Sequence, residues 1–370
     1  MIFHKRSSKR ERKRIAVAMS GGVDSSLAAA LLLKEGYEVI GVTFRMWPQE
    51  ECGASFGRAC CNLEAVTRAR AVAGNLGIPY YVFDLSEEFK AKVIDYFCGE
   101  YLKGFTPNPC VICNEKIKFG LLHEKALALD ASLIATGHYV DKGFNKRTGR
   151  FFLKKGFDRE KDQSYFLFSL SQEQLRYSVF PLSGYIKRKV RIAAKRFKLK
   201  THNTVSSQDI CFIQDLDYAE YIRKKTGVTI KEGDIVDKEG KVLGRHKGIP
   251  YYTIGQRRGL GIAYSEPLYV TGIDRDRNRV IVGVRKDVLK KSLVAHRLNW
   301  MAIKEMGGEL RVKAKIRYNH KEQDATVSRI GADLARVDFD EPQEAPTPGQ
   351  AVVFYNKDIV VGGGWIKEVV

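Results

Sequence analysis

Along the first third of the chain the apolar positions follow two alternating periods. Short apolar runs at 15–19, 37–44, 80–84 and 132–136 read as strands, and longer stretches at 25–35, 63–76, 87–102 and 115–129 read as helices. Gly36 and Gly77 fall just past two of those helices, where a left-handed residue ends a helix. Strand and helix in regular turn predict an α/β fold, a parallel doubly wound sheet with helices on both faces. Ligands of such sheets gather at the carboxyl ends of the strands, and the loops at Ser20, Phe44 and Gly137 all fall there.

Further on the pattern changes. Segments 139–144 and 150–154 flank the turn Asn145-Lys146-Arg147-Thr148-Gly149 and predict a hairpin. Amphipathic helices are expected at 172–177 and 185–197, the second rich in Lys and Arg. From Gly227 onward short alternating strands separated by Gly, Asp and Asn turns read as a compact β-barrel. The expected organisation is a basic arm over 1–14, an α/β domain over 15–168, a small helical or mixed domain over 169–226, and a β-rich domain over 227–370 that includes a C-terminal barrel.

Composition narrows the class. At 370 residues and 44% hydrophobic the chain is too long for one ordinary domain. No apolar run approaches the roughly 20 residues that span a bilayer, and no leader pattern opens the chain, so a cytoplasmic protein with no membrane partner is expected. Lys and Arg number 63 against 43 Asp and Glu, a net charge of +20, which draws polyanions and makes nucleic acid the natural partner. The arm, with Lys5, Arg6, Lys9, Arg10, Arg12, Lys13 and Arg14 against Glu11, reads as a solvated tail. The seven cysteines, at irregular spacing, argue against a disulfide framework and for chemical roles for some of them.

The stretch Ala18-Met19-Ser20-Gly21-Gly22-Val23-Asp24-Ser25-Ser26 joins the first strand to the first helix. Two glycines let the backbone approach an anion, helix-terminal amides converge on it, and three serines add hydroxyl donors. No Walker-type G-x-x-x-x-G-K-[ST] occurs in the chain. The other reading is an ordinary Gly-rich turn. Asp24 is either a carboxylate that orients magnesium or an acid placed at a helix N-terminus. The pattern Ser-Gly-Gly-x-Asp-Ser resembles the PP-loop of ATP pyrophosphatases, which split ATP to AMP and pyrophosphate while adenylating a substrate.

A second motif is Thr106-Pro107-Asn108-Pro109-Cys110-Val111-Ile112-Cys113-Asn114. Its prolines predict a non-helical loop that leaves Cys110 and Cys113 near the start of the helix expected from Glu115. A thiol there has a lowered pKa and supplies thiolate at neutral pH. The rival readings of a lone C-x-x-C are a zinc half-site, which needs two further ligands, or two buried thiols. A third motif, Ser206-Ser207-Gln208-Asp209-Ile210-Cys211-Phe212-Ile213, sets Cys211 between apolar neighbours, where a small core residue is the ordinary reading. The chain also carries Gly137-His138-Tyr139, Lys161-Asp162-Gln163-Ser164-Tyr165, Gly255-Gln256-Arg257-Arg258-Gly259 and Gly362-Gly363-Gly364-Trp365.

With these motifs in this order, from about Ile15 to Trp365, the sequence resembles the bacterial and mitochondrial tRNA-uridine 2-sulfurtransferases, the 2-thiouridylases. The resemblance implies ATP-dependent replacement of the C2 oxygen of the wobble uridine by sulfur in tRNAs for Lys, Glu and Gln, with magnesium, a sulfur-carrier or persulfide donor protein as partner, and a monomeric enzyme. It assigns ATP to Ala18, Met19, Ser20, Gly21, Gly22, Val23, Asp24 and Ser25, with Phe44 and Gly137. Phe44 stands where the family often has Met. The resemblance places the catalytic cysteines on Cys113 and Cys211, and tRNA contacts on Asn108, Pro109 and Cys110 at the target base, then His138, Lys161, Asp162, Gln163, Arg317, Tyr318 and Gln350. The best-known members carry Asp where this chain has Cys110, which adds a third thiol to the set.

Two mechanisms fit that set. In one, Cys211 carries sulfur as a persulfide to the adenylated uridine and Cys113 resolves it as a disulfide. In the other, Cys110, Cys113 and Cys211 ligate a [4Fe–4S] cluster whose open iron carries hydrosulfide. His138 is either a hydrogen-bonded structural histidine or an RNA contact. Arg257, Arg258 and the basic helix at 185–198 are phosphate contacts or solvated charge. Cys52, Cys60, Cys61 and Cys98 read as packing or incidental thiols. Two rival functions remain at this point, another AMP-forming PP-loop ligase and a non-catalytic basic RNA-binding protein.

Overall fold

The computed structural model describes residues 13–46, 63–203, 210–213 and 217–370. Most of the basic arm, Cys52, Cys60, Cys61 and 206–209 with Asp209 lie outside the described residues.

Strands β1 (Arg14–Ala18), β2 (Glu38–Arg45), β3 (Tyr80–Asp84) and β4 (Leu133–Ala135) are followed by the hairpin β5 (Val140–Asn145) and β6 (Arg150–Lys155), then by the two-residue β7 (Ser178–Val179). The first sheet has the order β3-β2-β1-β4-β7 and every pairing in it is parallel. The expected α/β class is therefore present. Strand β1 lies at the centre, with Ile15, Ala16 and Val17 fully buried. Its alternation splits the core in two. Ile15 and Val17 pack with helix α1 (Val23–Lys34) and helix α2 (Leu63–Leu76), whereas Ala16 and Ile40 meet the helical runs over 86–102 and 109–127 on the opposite face. Helix α1 buries Val23, Leu27, Ala28, Ala29, Ala30 and Leu32 together, so its Ala and Leu residues leave no wide polar face.

The chain runs outward from β1 to β3 and then crosses back to β4 on the other side of β1. This reversal opens a crevice between the loops that follow β1 and β4. Helix Lys187–Arg196, with its basic outer face, packs against α1 through Val190 and Ala194, and β7 extends the parallel sheet.

The β-rich stretch resolves into two units. Strands β8 (Gly233–Val236), β9 (Val242–His246), β10 (Tyr269–Asp274) and β11 (Arg279–Gly283) form a four-stranded sheet of order β10-β11-β8-β9. Strands β12 (Leu289–Trp300), β13 (Leu310–Lys315), β14 (Gln323–Arg329), β15 (Leu334–Glu344), β16 (Ala351–Asn356) and β17 (Ile359–Val369) close into a barrel, because β17 pairs back onto β12. Its interior takes alternate residues, Val312 and Ala314, Ala325 and Val327, Val337 and Phe339. In β16 the run Ala351 to Tyr355 is buried without a break. Val352 and Phe354 face the barrel interior cluster while Val353 and Tyr355 join the cluster beneath the parallel sheet, so this strand is covered on both sides. The hairpin β5–β6 joins β17 at Ile359 and Lys154, tying the α/β domain to the barrel. Among the described residues no helix is long and apolar enough to cross a membrane.

Candidate active site

The loop after β1 is closed by its own residues. The Ser20 amide donates to Ser25 Oγ at 3.1 Å, and the Ser25 and Ser26 hydroxyls donate to the Gly22 carbonyl at 3.2 and 2.8 Å. Met19 is fixed at both ends, its N–H to the Val42 carbonyl at 2.8 Å and its carbonyl to Thr43 Oγ1 at 2.5 Å. Gly21 has φ +70°, and a Cβ there would lie 2.4 Å from the Ala65 carbonyl oxygen of α2. Only glycine meets both demands. The loop after β4 comes as close from the other side. A Cβ on Gly137 would sit 2.8 Å from the Ser25 nitrogen and 2.9 Å from the Asp24 carbonyl carbon. Ala18 to Ser25 and Gly137 thus meet at the switch point between β1 and β4, a glycine-lined turn at a helix N-terminus suited to phosphate. Phe44 is buried at the end of β2, the next strand over.

Asp24 is the second residue of α1, and its carboxylate is already engaged. Lys187 Nζ lies 2.7 and 2.5 Å from its two oxygens, and the Tyr139 hydroxyl donates to Oδ1 at 2.6 Å. Burial and this carboxylate together raise the Tyr139 pKa. A carboxylate so held does not fit as the protein's magnesium ligand in this arrangement.

The cysteine loop departs from expectation. The helix begins at Pro109 rather than near Glu115: Asn108 caps it by accepting the Val111 N–H at 3.3 Å, and Pro109 takes the first helical position. A proline there loses no intrahelical bond, so the residue read as excluding a helix starts one. Cys110 and Cys113 lie inside this helical run, Cys110 exposed and Cys113 only 7% exposed where the run becomes a π-helix over Cys113–Leu121. A residue on the distant barrel clamps the loop. Gln350 Nε2 donates to the Thr106 and Pro107 carbonyls at 2.9 and 3.2 Å, and the Thr106 amide donates to the Pro348 carbonyl at 2.9 Å. Tyr165, fully buried, bonds the Ala351 carbonyl at 2.9 Å and also Asn108.

Cys211 is half-buried on the short segment 210–213, where the Ile213 amide bonds the Ile210 carbonyl at 3.0 Å. Phe212 anchors that segment, its ring 5.0 Å from Phe97, 5.5 Å from Tyr221 and 6.0 Å from Phe89. Cys113 and Cys211 belong to one apolar cluster, which also holds Phe44 and, at its edge, Ala18 at the end of β1. Through Phe44 and Ala18 this cluster reaches the strand end from which the nucleotide loop departs. Among the described residues no group of three or more His, Cys, Asp or Glu side chains is arranged to hold a metal ion, and Cys110 is exposed while Cys113 is buried. In this arrangement Cys110, Cys113 and Cys211 are not gathered as the ligand set of a [4Fe–4S] cluster.

Of the expected tRNA contacts, several spend their side chains inside the protein. Asp162 accepts from the Gly156 and Ser164 amides at 2.9 and 3.1 Å and from Ser164 Oγ at 2.8 Å. Gln163 Oε1 takes the Tyr139 amide at 3.0 Å. Arg317 donates to the Ala345 carbonyl at 2.7 Å and to the Glu344 carbonyl. The Tyr318 ring lies 4.5 Å from Phe166, with Lys315 Nζ 5.5 Å from its centroid. His138 Nδ1 meets Thr136 Oγ1 at 2.8 Å, and burial with nearby Lys118 pushes its pKa down to about 3, so the ring is neutral. Lys161 is half-buried on the same turn as Asp162. Lys187, Tyr139, Thr106 and Tyr165 are the supporting residues that motif spacing missed, since their partners lie far away in sequence.

The parallel sheet of order β3-β2-β1-β4-β7 and the glycine loop at its reversal define a nucleotide-binding α/β domain of PP-loop type. Residues 13–215 match the family model for a tRNA methyl transferase HUP domain, 220–284 the tRNA methyl transferase PRC-barrel domain, and 290–366 the aminomethyltransferase β-barrel domain. The chain is 50% identical over 356 residues to the tRNA-specific 2-thiouridylase MnmA 2 of Thermoanaerobacter sp. strain X514, covering 96% of this chain and 98% of the relative. It is 48% identical to the MnmA of Clostridioides difficile strain 630 over 96% of this chain and 98% of that one. With the MnmA of Moorella thermoacetica it shares 50% identity over 95% of this chain and 99% of the relative. The chain belongs to the tRNA-specific 2-thiouridylase family.

Proposed function

We propose that this protein is a tRNA-uridine 2-sulfurtransferase that uses ATP, with magnesium on its phosphates, to replace the C2 oxygen of the wobble uridine by sulfur in tRNAs for Lys, Glu and Gln. The observation that carries the reading is the packing of Cys113 and Cys211 on one apolar cluster, in a chain of this family whose glycine loop lies at the reversal between β1 and β4.

The chemistry follows from the leaving group. A uracil oxygen cannot leave C2 as oxide. Attack of that oxygen on the α-phosphate of ATP expels pyrophosphate and converts it to the oxygen of a bound adenylate. The terminal sulfur of a Cys211 persulfide, supplied by a sulfur-carrier protein, adds at C2 and AMP departs. The Cys113 thiolate then attacks the Cys211 sulfur. The S–S bond to the base breaks, its electron pair goes to the 2-thiouridine sulfur, and a Cys113–Cys211 disulfide remains for an external thiol to reduce.

Three features support this division of labour. The backbone amides of Gly21 to Ser25 suit the phosphates. The helix that Asn108 caps carries Cys110 in its first turn and the buried Cys113 just beyond it. The cores beneath His138, Lys161 and Gln163 and beneath Arg317, Tyr318 and Gln350 hold the loops that border the cysteine helix, and on this reading those loops meet the anticodon arm. The net charge of +20 favours that encounter.

The test is direct. Undermodified tRNA incubated with the protein, Mg-ATP and a persulfide donor should yield, after nucleoside digestion, a uridine heavier by the difference between sulfur and oxygen, with AMP and pyrophosphate in equal amount. Pyrophosphate release without a sulfur-bearing nucleoside would place the chain among AMP-forming ligases. RNA binding with neither product would make it a binding module.

A further inference from the structure

Helix Lys187–Arg196 presents Arg188, Lys189, Lys195 and Arg196 to solvent, yet its first residue turns inward. Lys187 Nζ lies 2.7 and 2.5 Å from the Asp24 oxygens, and the two side chains are only 16% and 29% exposed. The same ammonium stands 5.7 Å from the centroid of the Tyr139 ring, whose hydroxyl bonds Asp24, while the Lys187 amide donates to Asp158 Oδ2 at 2.7 Å. The position of Lys187 is thus fixed from two sides.

Asp24 sits in the first turn of α1, directly after the glycines of the nucleotide loop. A carboxylate there is favourable to the helix itself, since it complements the N-terminal dipole. For an incoming polyphosphate it is repulsive, and partial burial strengthens the repulsion. A cation held on both carboxylate oxygens cancels the charge without removing the helix's acid.

We propose that Lys187 is a positioning residue of the nucleotide site: it neutralises Asp24 and holds it against Tyr139, keeping the first turn of α1 open to a triphosphate. The inference rests on the reading of that loop as the ATP site. It makes the basic helix part of the ATP machinery, joined to α1 by one ion pair across 163 residues of sequence.

Equilibrium titration of Mg-ATP against wild type, Lys187→Met, Lys187→Arg and the double variant Lys187→Met with Asp24→Asn tests this, together with KM and kcat for AMP formation. In Lys187→Met the carboxylate is left uncompensated, and the ATP dissociation constant and KM should rise about tenfold while kcat at saturating ATP stays within about twofold. Lys187→Arg should retain most of the affinity. The double variant should recover most of what Lys187→Met lost, because no charge is left to neutralise. A structural role alone would lower stability without that recovery, so thermal midpoints are read alongside. Unchanged ATP affinity in Lys187→Met, or a double variant that binds no better than Lys187→Met, overturns the inference. Wild type that fails to bind ATP overturns the nucleotide reading instead.

Discussion

The nucleotide loop and the cysteine loop are held in different ways. The turn Ser20 to Ser26 is closed largely by its own residues, with hydrogen bonds three to five apart in sequence, while Asp24 reaches out to Tyr139 and Lys187. The Thr106 to Cys113 segment is held from the barrel by Gln350, at a separation of 244 residues, and by Pro348, and Tyr165 bonds both Asn108 and Ala351 of the barrel. A loop that must present fixed amides to a phosphate gains from a short-range scaffold. A loop held from a second unit moves with that unit, so its position depends on how the two pack. The comparison teaches that the barrel does more than cover the core: it holds the two residues that lead into the N-cap of the thiol-bearing helix.

The sharpest break of the comparison is chemical. Cys113→Ala and Cys211→Ala should each abolish sulfur transfer while ATP binding is unchanged, read by nucleoside mass spectrometry beside a nucleotide titration. Steric substitution on the other side should do the reverse. In Gly137→Ala the added methyl meets backbone atoms of Asp24 and Ser25 at 2.8 to 2.9 Å, with no flexible side chain to yield. ATP affinity should fall about tenfold or more, since overpacking against backbone costs about 1–3 kcal/mol, and the alkylation rate of Cys113 should not change.

A smaller effect is expected where the two supports meet. Gln350→Ala removes two hydrogen bonds to the cysteine loop and should cost about 1–3 kcal/mol of stability, lower kcat for thiolation severalfold and leave KM for ATP alone. Equal loss in ATP affinity would mean that the two loops are not separately supported. The smallest effect is in pH. His138, with its pKa near 3, is neutral through the working range and should contribute no step to the rate profile between about pH 5 and 8. Because the unfolded histidine takes up a proton near its ordinary pKa and the folded one does not, stability should decline as pH falls from about 6.5 toward 3. His138→Asn should flatten that part of a denaturation series.

The difference in support also explains what the sequence made legible. The α/β class and the glycine-rich turn rest on local periodicity and on glycines beside serines, all readable in one window, whereas the strand order around β1 depends on its pairing with β4 more than 100 residues on. The helix at Pro109 was hidden because the same residue breaks a helix interior and begins a helix after an Asn cap. The division of the β-rich stretch into a four-stranded sheet and a closed six-stranded barrel depends on β17 returning to β12, a pairing that alternation along single strands does not encode. Lys187 read as one charge on a basic helix because its partner is 163 residues away. The resemblance gives Asp162, Gln163 and Arg317 as tRNA contacts, and the hydrogen bonds that their side chains make inside the protein were not legible from it.

The central claim is that Cys113 and Cys211 act on one base beside the nucleotide loop. A single turnover with adenylated tRNA formed in place, quenched by acid and mapped by peptide mass spectrometry without reductant, tests it most directly. The account predicts one Cys113–Cys211 disulfide for each 2-thiouridine formed. Full yield of 2-thiouridine with both thiols still separate would contradict it.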